Sequence, residues 1–170
     1  LYLDGLSSFH GGTLYLQDMP LLSEQLRETT AFIRTKYSAT PETGIVLGSG
    51  LGNFLSGIKI ETSISYNEIP HFPLSTVEGH DGLLVFGELK GKKVVAMAGR
   101  FPYYEGYSPA EVVYPIRVMK ALGIKNLLLS NAAGGVNPNF KVGDLMIITD
   151  HISLAVINPL IGKNEQDLGP

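Results

Sequence analysis

Apolar residues follow two patterns along this chain, and each pattern predicts a different kind of element. Between residues 21 and 37 they recur every three or four positions, as at Leu22, Leu26 and Ile33, which places them on one face of an amphipathic helix. A second helix is predicted to begin at Ser108, where Ser-Pro-Ala-Glu supplies an N-cap, a first-turn proline and a capping box. Most other apolar residues lie in short runs between these helices.

The short runs predict the β-strands. They lie at residues 45–47, 59–66, 83–89, 92–98, 126–130 and 145–149, with a short helix expected at 53–58. The third and fourth runs are separated only by Lys-Gly, which predicts a β-hairpin. Most of the runs are continuous and not alternating, which indicates a sheet covered on both faces. Strands that alternate with helices in this way predict an α/β fold.

Unusual segments follow three of the predicted strands. They are the glycine loop at 48–52, the segment 99–107 and the Asn-Ala-Ala-Gly-Gly turn at 131–135. Glycines allow backbone N–H groups to converge on an anion, and α/β sheets bind ligands at the carboxyl ends of strands. The glycine loop is not a dinucleotide fingerprint, because Asn53 replaces the third glycine, nor a P-loop, because it has no lysine. The three segments together predict an anion site.

Arg100 and Ser49 are the first candidates for binding that anion. Arg100 directly follows a strand and a glycine, and its guanidinium can hold two phosphate oxygens at once. The alternative is a structural ion pair with a carboxylate such as Glu105, but the two neighbouring glycine loops favour the ligand role. Ser49 can donate its hydroxyl to the same anion, or it can merely cap the helix that follows.

Three further residues are candidates, and for His80 and Tyr104 an ordinary role without a ligand is the alternative. His80 lies between glycines in a loop that can close over a ligand, although a single loop histidine is more often solvated. Tyr104 offers a hydroxyl and a ring to a sugar, or it is a core or interface tyrosine. Ala132 can contribute only its backbone N–H.

Composition excludes several classes of function. A net charge of −3 argues against a nucleic-acid-binding protein, and no apolar run approaches the length of about 18 residues that spans a membrane. The absence of cysteine excludes disulfides and thiolate zinc sites and fits a cytoplasmic protein, and the four histidines lack metal-ligand spacing. Residues 1–18 have no helix or strand period and are expected to be vector-derived or disordered. Residues 19–170 are expected to form a single α/β domain.

The candidate residues position and neutralise an anion without providing an acid–base pair. No Ser-His-Asp or paired-carboxylate arrangement is legible in the sequence. These residues suit a reaction in which phosphate itself is the nucleophile. Catalysis would then come from alignment of the reactants and from electrostatic stabilisation.

Six motifs occur together and in order along the chain. They are Gly-Ser-Gly-Leu-Gly at 48–52, Glu-Ile-Pro-His-Phe-Pro at 68–73, Gly-His-Asp-Gly at 79–82, Gly-Arg-Phe-x-x-Tyr-Glu-Gly-Tyr at 99–107, Asn-Ala-Ala-Gly-Gly at 131–135 and Val-Gly-Asp at 142–144. Together they closely resemble the trimeric purine nucleoside phosphorylase family that acts on inosine and guanosine. The resemblance implies a nucleoside phosphorylase-like three-layer α/β/α fold around a central mixed sheet, a homotrimer, and no cofactor other than inorganic phosphate as co-substrate.

The resemblance also implies reversible phosphorolysis of purine nucleosides to free base and (deoxy)ribose 1-phosphate, a step of purine salvage. Carried over by position, Ser49, His80, Arg100 and the amide of Ala132 would bind phosphate, and Tyr104 would contact the ribose. Phosphate would attack the anomeric carbon while the purine leaves through an oxocarbenium-like transition state.

The chain departs from the family pattern in two respects. Pro102 stands in the phosphate site where the family usually has histidine. The glutamate and asparagine that hold the purine in the family would lie beyond Pro170, so the catalytic residues of the base site are unknown. We therefore expect the chain to be incomplete relative to the family at its C-terminal end and not competent by itself.

Two alternatives to this function remain open. Methylthioadenosine phosphorylase shares the fold, but its arginine is usually followed by Gln-His, whereas Arg100 is followed by Phe-x-x-Tyr. The chain could also be a non-catalytic remnant that binds phosphate or forms trimers. Release of free hypoxanthine from inosine distinguishes an enzyme from such a remnant.

The variant Pro102→His should bind phosphate more tightly in an otherwise complete enzyme. A hydrogen bond to a charged group is worth about 1.5–3 kcal/mol, which corresponds to roughly a ten- to hundredfold gain in affinity. Titration of the intact protein with phosphate measures this gain. An unchanged affinity would show that the proline costs the site nothing.

Overall fold

The fold is built from seven main elements. The computed structural model describes residues 21–48, 50–74, 82–154 and 157–161. In chain order the elements are helix α1 (Leu22–Lys36), strands β1 (Thr43–Val46), β2 (Lys59–Ser65), β3 (Leu83–Leu89) and β4 (Lys92–Ala98), helix α2 (Pro109–Leu122) and strand β5 (Asn126–Leu129). Short 3₁₀ helices cover Gly52–Gly57, Tyr66–Glu68 and Tyr103–Glu105. The two predicted helices and five of the six predicted strands are confirmed.

The strands form one mixed sheet in the order β2-β3-β4-β1-β5. Antiparallel pairs join β2 to β3 and β3 to β4, and the predicted hairpin turns at Lys90 and Gly91, both with positive φ. In contrast, β1 runs parallel to both of its neighbours, β4 and β5. The central strand of the parallel half is therefore the first strand of the sequence, which confirms the α/β prediction.

Apolar side chains pack on both faces of the sheet, although unequally. On one face α1 and α2 cover the strands, and Ile33, Val118 and Met119 are completely buried there. On the other face a smaller cluster, which includes Ile45 and Val94, packs with Leu55 of the first 3₁₀ helix. Successive residues of a strand face opposite sides, so the continuous apolar runs supply both clusters.

The start of α2 has the predicted capping box. The Ser108 hydroxyl accepts a hydrogen bond from the Glu111 backbone N–H at 3.3 Å, and the Glu111 carboxylate accepts one from the Ser108 N–H at 2.7 Å. Hydrogen bonding of the Glu111 carboxylate to the side chain and to the backbone N–H of Ser108 holds the pKa of Glu111 below its usual value. The cap fixes where the segment after β4 ends and α2 begins.

The predicted strand at 145–149 is wrong. These residues form no ladder with the described strands, and Leu145 and Ile147 are 98% and 88% exposed. A strand needs a hydrogen-bonding neighbour and a covered face, and apolar composition supplies neither. The same lack of cover explains why β5 forms as predicted but leaves Leu129 67% exposed.

Two other expectations concern residues 1–18 and membrane-spanning segments. The expectation that residues 1–18 are vector-derived or disordered lies outside the described residues. In the part of the chain that the structure describes, no helix is both long enough and apolar enough to cross a membrane.

A buried hydrogen-bond chain joins the two helices to the segment that follows β2. The Thr29 hydroxyl, fully buried on α1, donates to the carbonyl of Pro70 at 2.8 Å. Its oxygen lies 2.6 Å from the Tyr114 hydroxyl of α2, which is left as the donor because Thr29 has a single hydroxyl proton. This chain fixes residue 70 against both helices.

The variant Thr29→Val should destabilise the protein by about 1–3 kcal/mol, because it leaves the half-buried Pro70 carbonyl and the buried Tyr114 hydroxyl without this partner. Urea unfolding of the intact protein measures the loss. Thr30→Val is the matched control, since the Thr30 hydroxyl bonds only to carbonyls of its own helix, Leu26 and Arg27. Equal stabilities of the two variants would contradict the role of the buried chain.

Candidate functional site

The three unusual segments leave the sheet at the same edge. Val46, the last residue of β1, pairs with Met97 of β4 and with Leu129 of β5. Because β1 is parallel to both strands, their carboxyl ends lie side by side. The segments 99–107, 48–52 and 131–135 therefore begin next to one another in that order, which confirms the predicted meeting of strand ends.

Ser130 ties the exit of β5 to the exit of β1. Its hydroxyl accepts a hydrogen bond from the Gly48 N–H at 2.9 Å and donates to the Val46 carbonyl at 3.1 Å. Its backbone N–H also donates to the Val46 carbonyl at 3.1 Å. The N–H of Gly48 is thus used inside the protein, so an anion in the glycine loop must take its donors from later residues.

Gly48 allows this close approach because it has no Cβ. A Cβ at this position would lie 2.7 Å from the Ser130 carbonyl oxygen and 2.9 Å from the Cα of Asn131. Further along the loop, Gly50 has a φ of +82°, which side chains other than glycine rarely adopt. Two of the three glycines predicted to shape this loop therefore have a geometric reason to be glycine.

Tyr66 supports the exit of β4. Its hydroxyl donates to the carbonyl of Gly99 at 3.0 Å, and Gly99 has a φ of +121°. Its backbone N–H donates to the carbonyl of Gly82, the residue that precedes β3, at 3.0 Å. Burial raises the pKa of Tyr66 far above its usual value, so the hydroxyl remains a protonated donor.

Exposure alternates along Arg100, Phe101 and Pro102. Phe101 is 4% exposed and packs with its ring 5.1 Å from that of Tyr66 and 5.3 Å from that of Tyr107, whereas Arg100 is exposed and Pro102 half-buried. Phe101 therefore anchors the segment, and both of its neighbours face away from the core.

Pro102→Ala is the control for the phosphate titration of Pro102→His. It removes the proline without adding a hydrogen-bond donor.

The remaining predicted site residues fall into two groups. Tyr104 lies in the 3₁₀ helix Tyr103–Glu105 and is 83% exposed, so the alternative of a core tyrosine is wrong. Ala132 is exposed in the turn after β5. Ser49 and His80 lie outside the described residues. Within the described part of the chain, no cluster of three histidine, aspartate or glutamate side chains is suited to a metal ion.

An open groove of about 860 Å³ lies beside the strand ends and not on them. It runs between the amino-terminal halves of α1 and α2, and of the three segments its described lining includes only residues 105–107. No two of the segments meet in it, so its size does not make it the predicted anion site. The strand ends, where glycine loops and an arginine converge, remain the candidate.

Sequence reasoning missed the two hydroxyls that hold these segments. Ser130 ends a predicted strand directly before Asn-Ala-Ala-Gly-Gly, and a serine at that position was a usable signal. Tyr66 closes a weak, polar strand pattern, and its partner Gly99 is 33 residues away. No local pattern indicates such a contact.

The variant Gly48→Ala should be destabilised by about 1–3 kcal/mol and should bind phosphate more weakly, because its methyl group overlaps the Ser130–Asn131 backbone. Urea unfolding and phosphate titration of the intact protein measure both effects. Gly52→Ala is the control, since a Cβ there meets no described atom within 4 Å. If Gly48→Ala and Gly52→Ala had the same stability and phosphate affinity, the close approach of Gly48 to the Ser130–Asn131 backbone would not be required.

Comparisons with known proteins agree with this geometry. Residues 42–170 match the family model described as the phosphorylase superfamily. Purine nucleoside phosphorylase 1 of Bacillus subtilis (strain 168) is 52% identical over 148 residues, which cover 87% of this chain and 55% of that protein. The chain thus spans about half the length of the curated relatives it matches.

Solved structures extend the agreement to the fold. A purine nucleoside phosphorylase in complex with ribose 1-phosphate is 49% identical with a TM-score of 0.81, over 86% of this chain and 55% of that one. The Schistosoma mansoni enzyme in complex with inosine is 47% identical with a TM-score of 0.79, over 86% and 52% of the two chains. The nucleoside phosphorylase-like fold and the resemblance to purine nucleoside phosphorylases are confirmed. Since the family match covers well over half of its residues, this chain belongs to the phosphorylase superfamily.

Proposed function

We propose that the protein catalyses the reversible phosphorolysis of purine nucleosides, such as inosine, guanosine and their deoxy forms, to purine base and (deoxy)ribose 1-phosphate. The observation that carries this proposal is the meeting of three glycine-containing segments at one sheet edge, with Arg100 at the exit of β4. The similar proteins support it, because they are named purine nucleoside phosphorylases, and solved examples bind inosine and ribose 1-phosphate.

The proposed phosphate site consists of Ser49, His80, Arg100 and the amide of Ala132. Arg100 supplies the main positive charge, and the exposed positions of Arg100 and Ala132 support their assignment. Tyr104, exposed two residues beyond Pro102, contacts the ribose. The site needs no cofactor, because inorganic phosphate is itself a substrate.

The chemistry of this site follows from placing a dianion beside the sugar. A phosphate oxygen forms a bond to the anomeric carbon as the bond from that carbon to the purine nitrogen breaks, and the base leaves with the bonding electrons. Positive charge develops on the ribose in the transition state, and the bound phosphate stabilises it. The protein contributes by holding phosphate and sugar in line, which removes most of the entropic cost of their encounter.

This chain carries mainly the phosphate and ribose side of that site. The chain spans about half the length of the relatives it matches, so the whole site is proposed for the intact protein. We further propose a cytoplasmic homotrimer that serves purine salvage. The low charged fraction of 17% is compatible with a subunit interface.

A non-catalytic phosphate-binding or trimer-forming protein is the second candidate. The exposed apolar residues after β5, such as Val136 and Ile152, are compatible with the trimer-forming alternative, because a subunit interface covers exposed apolar surface. Stabilisation by phosphate without any release of base would support this candidate over the enzyme.

The variant Arg100→Met should lower kcat/KM for phosphate by about a hundredfold or more, because it removes a charged donor from the reacting anion. The assay follows hypoxanthine released from inosine by the intact protein. Arg27→Met is the control, since Arg27 is an exposed arginine of α1 and should leave the rate unchanged. A wild-type protein that releases no hypoxanthine would refute the enzyme, and an unaffected Arg100→Met variant would refute the phosphate role of Arg100.

A further inference from the structure

We propose that Tyr66 is a positioning residue that sets the direction of Arg100 through the peptide group between Gly99 and Arg100. This inference rests on the proposed function, because it takes Arg100 as a ligand of phosphate. Tyr66 itself touches neither reacting molecule in this scheme. Its hydroxyl acts on the backbone that carries the arginine.

The hydrogen bond meets Arg100 at the peptide plane that precedes it. The Tyr66 hydroxyl donates to the carbonyl oxygen of Gly99 at 3.0 Å. That carbonyl and the N–H of Arg100 belong to the same rigid planar unit. Fixing the oxygen therefore fixes the plane from which the Cα and side chain of Arg100 extend.

Glycine makes such a restraint necessary. Gly99 has a φ of +121°, a conformation open to glycine but rarely to other residues. Glycine also adopts other backbone conformations easily, so Gly99 by itself does not fix the peptide plane that joins it to Arg100. The restraint from Tyr66 selects one orientation, and the fraction of molecules with a correctly directed Arg100 sets the apparent phosphate affinity.

Tyr66 is itself held firmly enough to act as a reference point. Its side chain is 2% exposed, and its ring centroid lies 5.3 Å from that of Phe72 and 5.1 Å from that of Phe101. Its backbone N–H donates to Gly82, where an added Cβ would overlap the tyrosine ring. The exit of β4 and the entry to β3 are thus both hydrogen-bonded to one buried residue, the first to its hydroxyl and the second to its backbone N–H.

The variant Tyr66→Phe removes the hydroxyl and keeps the ring packing. We expect the KM for phosphate and the Kd of inorganic phosphate to rise about threefold to tenfold, since the restraint is a single hydrogen bond. The KM for inosine should stay the same. Kinetics and calorimetry on the intact protein measure these values, with urea unfolding measured in parallel.

Tyr114→Phe is the matched control. It also deletes one buried tyrosine hydroxyl, whose partner Thr29 lies on α1 and outside the three strand-end segments. A purely structural role for the Tyr66 hydroxyl predicts that both variants lose stability and change phosphate affinity alike. The positioning role predicts a loss of stability in both and a loss of phosphate affinity only in Tyr66→Phe.

A double variant tests whether Tyr66 acts through Arg100. If it does, Tyr66→Phe should add nothing to the loss of phosphate affinity already caused by Arg100→Met, whereas independent effects would add. Additive losses, or equal affinities of wild type and Tyr66→Phe, would overturn the proposal. A protein that shows the expected affinities but releases no hypoxanthine would support the positioning role and refute the proposed activity instead.

Discussion

The parallel pairing of β1 with both β4 and β5 is the constraint on which the rest of the structure depends. It brings three carboxyl ends to one edge of the sheet, although the strands are far apart in sequence. Of the two antiparallel connections, the turn at Lys90 and Gly91 lies at the opposite edge, whereas the connection from β2 to β3 starts and ends beside the carboxyl end of β4. The segments that carry the proposed phosphate ligands Ser49, Arg100 and Ala132 begin at this edge because β1 is flanked by two strands of its own direction.

Two side-chain hydroxyls convert this shared edge into a defined geometry. Ser130 joins the exits of β1 and β5, and Tyr66 holds the exit of β4. Each bonds to the backbone of a glycine, Gly48 or Gly99, where the missing side chain leaves the backbone conformation least restricted. The glycines permit close backbone contacts and positive φ angles. The two hydroxyls then stabilise one of the conformations that glycine allows.

Local signals in the sequence predicted much of this structure. The period of α1, the capping box at Ser108 and the glycine segments depend on residues a few positions apart, so they can be recognised directly. The strand at 145–149 was predicted wrongly because strand formation depends on a distant neighbour that apolar composition does not reveal. The hydrogen bond from Tyr66 to Gly99 was invisible for the same reason, since nothing near either residue indicates the other.

The position of β1 also has a consequence for the order of folding. Both neighbours of β1 are synthesised after it, and its pairing residues in β4 follow about 50 positions later in the chain. The antiparallel unit of β2, β3 and β4 has short connections by comparison, so we expect it to form first and to offer its open edge to β1. The site loops would then come together last, when β5 completes the row. Because the pairing of β1 is non-local, we expect the strand ends of the proposed anion site to meet late in folding.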